Sequence, residues 1–105
     1  MEESFKDREH QFEAKFAHDE ELRFKIIAHR NKLFAAWAAG QIGAAAPAGY
    51  ADTLLQFAFG RSASDLIHQA LHDLQSHGVA ITDGKLHKAF DLLNLRSETE
   101  VMAAS

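Results

Sequence analysis

His68 and His72 stand four residues apart in "HQALH". On a helix that spacing turns two imidazoles to the same side, where they can hold a metal ion. A zinc hydrolase of this type needs a glutamate directly after the first histidine and a third ligand. Here Gln69 follows His68, and no clear third ligand is readable. Seven histidines raise a second chemistry, a proton-dependent switch. His10 and His18 are the pair best placed for it, because they flank a stretch rich in charge and phenylalanine. Ser62 and Ser64 in "FGRSAS" have no readable partner base, and no Gly-rich loop leads to a lysine as phosphate binding would require. Helix caps explain both serines better. There is no cysteine, so thiolate chemistry and disulfides are excluded. No cofactor site is readable.

A single chain of 105 residues makes one small domain, just large enough to bury a core. The net charge is −4 with no basic stripe, which argues against a nucleic-acid partner. "MEESFKDRE" is acidic and mixed, unlike a secretory signal or a transit peptide. Residues 33–51 carry no charge over 19 positions, but they are rich in Ala and Gly and contain Pro47. They read as a buried helix end and a turn rather than a direct membrane insertion.

Glycines and the one proline divide the chain into four helical segments. The first runs from about Glu3 to Ala39. The second runs from about Ala48 to Phe59, with Tyr50, Leu54, Leu55 and Phe57 or Ala58 at helical spacing. The third starts at Ser62 or Ser64, turns Leu66, Ile67, Ala70, Leu71 and Leu74 inward, and stops at Gly78. The fourth starts at Thr82, with Ile81 stapled against Leu86, and buries Leu86, Ala89, Phe90 and Leu93. After Leu95 the period is lost, and residues 96–105 read as a frayed tail. No strand has a partner. The fold class is therefore all-α: a small four-helix bundle with a long, partly protruding N-terminal helix.

The protrusion follows from length. A helix of roughly 37 residues spans about 55 Å at 1.5 Å per residue. A compact chain of this size is only about 33 Å across. From Leu22 to Trp37 apolar residues are dense, with Leu22, Ile26, Ile27, Leu33, Phe34 and Trp37 forming a broad stripe for the bundle. Before Leu22 the large apolar residues are Phe5, Phe12 and Phe16, in "FKDREHQFEAKF". Those three fall within about 40° on the helical wheel. "AHDEE", 17–21, is a polar break between the two sets. A narrow aromatic ridge with charged flanks suits a partner that receives a helix in a groove. Alone, such a segment makes a marginal helix, so residues 1–18 are expected to be mobile until bound. The domain proper is expected over 19–95.

The chain resembles the ATPase inhibitor subunit zeta family of alphaproteobacterial F-type ATP synthases. The resemblance is carried by residues 5–39, "FKDREHQFEAKFAHDEELRFKIIAHRNKLFAAWAA", with "DRE", "FEAKFAHDEE" and "HRNKLFAAWAA" as its marks. "GYA" at 49–51, "DLIHQALHDLQSHGVAIT" and "KLHKAFDLL" extend it over nearly the whole chain. "DTLLQFAFG" departs from it, being apolar where the family tends to be acidic. The resemblance implies a four-helix, non-enzymatic protein whose N-terminal segment enters the catalytic head of the synthase and blocks rotation in the hydrolysis direction. It places the inhibitory face on Phe5, Arg8, Glu9, Phe12, Lys15 and Phe16, with Arg8 and Glu9 as candidates for salt bridges to the partner. It implies a cytoplasmic protein held at the inner membrane through the synthase, and it allows weak nucleotide binding. Two other readings stay open: a helical adaptor that presents the same ridge to another protein, and a small nucleotide-binding sensor.

Overall fold

The computed structural model describes residues 19–104. Asp19 opens the first helix, α1, Glu20–Ile42. Its carboxylate accepts from the Leu22 backbone N–H at 2.9 Å. Its own φ of −131° and ψ of 85° lie outside the helical region. Glu20 and Glu21 follow in the first turn, where negative charge offsets the positive end of the helix dipole. The polar break seen in the sequence is therefore a helix start. The helix also runs past Gly40, where the sequence suggested a boundary, and a single 3₁₀ turn, Gly43–Ala45, follows it.

The second helix, α2, covers Tyr50–Ala58. A tight turn joins it to the third, α3, Ala63–Ser76. In that turn the Arg61 N–H donates to the Ala58 carbonyl at 3.1 Å, Phe59 has φ −64° and ψ 122°, and Gly60 has φ +72°. These are the angles of a type II turn, whose third residue must tolerate positive φ. Of the two candidate serines, Ser62 caps α3 by accepting from the Asp65 N–H at 3.1 Å. The end of α3 is a Schellman motif: Val79 N–H donates to Leu74 O at 2.9 Å and Gly78 N–H to Gln75 O at 3.1 Å, with Gly78 at φ +79°.

The last helix, α4, covers Asp83–Ala104. Thr82 caps it, its hydroxyl accepting from the Lys85 N–H at 3.2 Å. Here the structure departs from the sequence reading. Residues 96–104 continue the helix instead of ending it at Leu95. The period is lost because the inward position is Ser97, a polar residue with no exposed surface. Its hydroxyl donates to the Ile26 carbonyl at 2.7 Å, which ties the end of α4 to the start of α1.

The four helices form one all-α body with a single core. Phe34 lies at its centre with no exposed surface. Its ring stacks on Trp37 at 5.8 Å between centroids and meets the edge of Phe90 at 5.2 Å. Leu54, Leu66, Ile67, Leu74 and Leu86 complete the interior. Helix lengths explain where this core ends. At 23 and 22 residues, α1 and α4 are each about 33–35 Å long. At 9 and 14 residues, α2 and α3 are about 13 and 21 Å. Ile27 and Phe34 are seven residues apart and point within about 20° of each other. Phe34 is buried, yet Ile27 is 39% exposed. The layer that covers the second half of α1 does not reach its first half, so Ile27 is not the core residue that the apolar stripe suggested.

Candidate functional site

The first half of α1 is held by the end of α4, and this junction carries a cluster of polar contacts. Ile26 is buried against it, through the Ser97 bond. One turn on, His29 Nε2 meets Glu100 Oε1 at 2.7 Å. Arg96 Nε donates to Glu100 Oε2 at 3.0 Å. The Glu100 carboxyl is therefore held below the usual glutamate range, first by the His29 bond and then by the Arg96 bond. Glu98, on the same turn, moves the other way because burial penalises its charge. Arg30 is half-buried, with its guanidinium 4.8 Å from the Phe90 ring centroid and two bonds to Asn31 Oδ1 at 2.9 and 3.1 Å. Burial lowers its pKa.

Beside this junction lies an open groove of about 580 Å³. Lys25, His29 and Lys32 line it from α1, and Glu100 and Val101 line it from α4. Positions 25, 29 and 32 share one helix face by spacing alone, so the basic side of the groove was legible in the sequence. The acidic side was not, because Glu100 fell in the segment read as a tail.

A part-buried polar pair links α2 to α3. The Tyr50 hydroxyl donates to Asp73 Oδ2 at 2.8 Å, and Gln69 holds the other carboxylate oxygen at 2.9 Å. Burial, then the Asp73 bond and its charge, push the Tyr50 pKa well above its ordinary value.

The residues expected to form the inhibitory face, Phe5, Arg8, Glu9, Phe12, Lys15 and Phe16, lie outside the described residues, as do His10 and His18. His68 and His72 are both exposed on α3. Among the described residues, no three histidine, aspartate or glutamate side chains come together as a metal site would need. No described helix is long and apolar enough to cross a membrane.

Large apolar side chains remain outside the core. Phe24 is 70% exposed and Phe59 85%, and Leu92 and Leu95 are also open. The described residues thus form a small all-α body with an open groove and several exposed apolar side chains. The chain belongs to the ATPase inhibitor subunit zeta family, whose sequence model matches residues 1–100. No curated protein and no solved structure shows significant similarity to it.

Proposed function

We propose that this chain suppresses ATP hydrolysis by the F-type ATP synthase. Its N-terminal segment, 1–18, inserts as a helix into a catalytic subunit interface of the synthase head and blocks rotation. Phe5, Phe12 and Phe16 are the apolar anchors, and Arg8, Glu9 and Lys15 meet polar groups at the rim. The observation that carries this reading is the Asp19 cap within a chain of the inhibitor family. The cap gives the scaffold its own helix start, so the scaffold does not depend on the preceding 18 residues for its first turn. Those residues are then left to a partner. Apolar anchors buried in the partner supply the affinity, less the cost of ordering the segment. The protein sits at the inner membrane through the synthase. The test is ATP hydrolysis by the cognate synthase with and without the full chain. A concentration-dependent fall in rate supports the proposal, and an unchanged rate refutes it.

The groove favours a second activity on the same scaffold, weak nucleotide binding. Lys25 and Lys32 offer donors to phosphate oxygens on the α1 side of the groove, beside His29, whose Nε2 is engaged by Glu100. Titration with ATP or ADP should shift the amide resonances of those residues first. Shifts confined to other helices would exclude the groove.

A further inference from the structure

The groove beside the α1–α4 junction already holds an anion of its own. Glu100 lines it from α4, and its carboxylate meets His29 Nε2 at 2.7 Å. The carboxyl is held below the usual glutamate range by that bond and by Arg96, so it is charged at neutral pH. Lys25 and Lys32 share the helix face of His29, one turn before it and one turn after. Their ammonium groups are held less firmly. Lys25 Nζ is 3.6 Å from Glu21 Oε1, between two exposed side chains, and pairs of that kind contribute little. Lys32 has no ion pair among the described residues. On the basic side of the groove, the central group is occupied and the outer two are open to exchange.

Lys25 and Lys32 are seven residues apart, about 10 Å along the helix axis. That spread suits an extended anion with several charges, such as the di- or triphosphate tail of a nucleotide, better than a single phosphate. A tail laid from one lysine to the other passes His29 on the way. There it meets Glu100, because one imidazole nitrogen serves one acceptor at a time. Glu100 has a place to stay when it loses His29. Arg96 Nε, on the same helix, donates to its other oxygen, Oε2, at 3.0 Å.

We infer that Glu100 is a built-in competitor for the groove: its carboxylate occupies His29 until a polyphosphate displaces it, and Arg96 retains it once displaced. The inference rests on the reading of the groove as a nucleotide site. It gives a physical reason for weak binding there. A ligand must break the His29–Glu100 contact and then lie beside a carboxylate of its own sign, so part of what the two lysines contribute is offset. Glu100 thereby sets the affinity of the site from the opposite helix.

The test is titration of the full chain with ATP, and with tripolyphosphate as a probe that lacks base and sugar, followed through the amide resonances of Lys25, His29 and Lys32. Glu100→Gln should bind both probes roughly five- to tenfold more tightly than wild type, the scale of one like charge removed at close range. The gap should narrow at high salt. Glu100→Ser, also uncharged, should behave like Glu100→Gln, and a thermal melt of each variant confirms that it is folded. His29→Ala separates displacement from charge repulsion: in that background Glu100→Gln should gain distinctly less. If wild type shifts at these residues and neither Glu100 variant binds more tightly, the competitor is refuted and the nucleotide site stands. If neither wild type nor the Glu100 variants shift there, the nucleotide site itself is refuted. An equal gain with and without His29 would show that Glu100 acts through its charge alone and would overturn its occupancy of His29.

Discussion

The Ser97 hydroxyl donates to the Ile26 carbonyl oxygen at 2.7 Å from a fully buried side chain. It is the one buried polar residue among those described. The bond spans 71 positions and sets which turn of α4 meets which turn of α1. An apolar side chain could pack there but could not select that register.

Replacing Ser97 tests this role. Ser97→Ala keeps the backbone and removes one buried hydrogen bond, while the Ile26 carbonyl stays inside a helix. The expected loss is about 1 kcal/mol, or a fall in melting midpoint of roughly 4–8 °C for a domain of this size. Ser97→Leu should cost more, about 1–3 kcal/mol from overpacking on top of the lost bond. Thermal melts of both variants check the order. A leucine variant as stable as wild type would show that the position is not tightly packed.

Glu100 sets a pH dependence at the same junction. Its folded pKa is lowered, so the folded state binds its proton less readily than the unfolded chain does. Its contribution is present above the unfolded value, about 4.3. It is lost as the pH falls through the lower, folded value. Glu100→Gln should therefore melt below wild type at neutral pH, and the gap should close under acidic conditions. Melting midpoints at several pH values decide the point. A gap that stays constant into strong acid would mean that the carboxylate charge is not the source.

Tyr50 is the only tyrosine, so its ionisation can be followed directly by near-ultraviolet absorbance. The phenolate should form well above the ordinary value of about 10. Because burial is the larger cause, Asp73→Asn should bring the midpoint only part of the way down. The folded state releases this proton less readily than the unfolded chain, so stability should decline as the pH rises past about 10. Tyr50→Phe should cost about 1–2 kcal/mol through the Asp73 bond. A phenolate midpoint near the ordinary value in the folded protein would contradict the buried pairing.

Much of this fold is written in local residue chemistry. Ser62, Thr82 and Gly78 mark helix ends because their interactions are made within a few residues, and sequence shows such spacing. The last two turns of α4 were hidden for the opposite reason. Ser97 and Glu100 find their partners in α1, 71 positions away, and no local period reports a contact of that range. Ile27 fell in the apolar stripe by spacing, but its exposure depends on the lengths of α2 and α3. The groove was half legible: Lys25, His29 and Lys32 share a face by spacing, while Glu100 needed the fold. The phenylalanine ridge is a feature of sequence that lies outside the described residues, and its role with a partner is a proposal.

On the proposed function, inhibition resides in residues 1–18 and folding does not depend on them. The most direct measurement is inhibition of ATP hydrolysis by a chain lacking residues 1–16, taken together with its thermal melt. The truncated chain should melt cooperatively close to the full chain and should not inhibit at any concentration where the full chain does. Retained inhibition, or loss of cooperative melting on truncation, would contradict it.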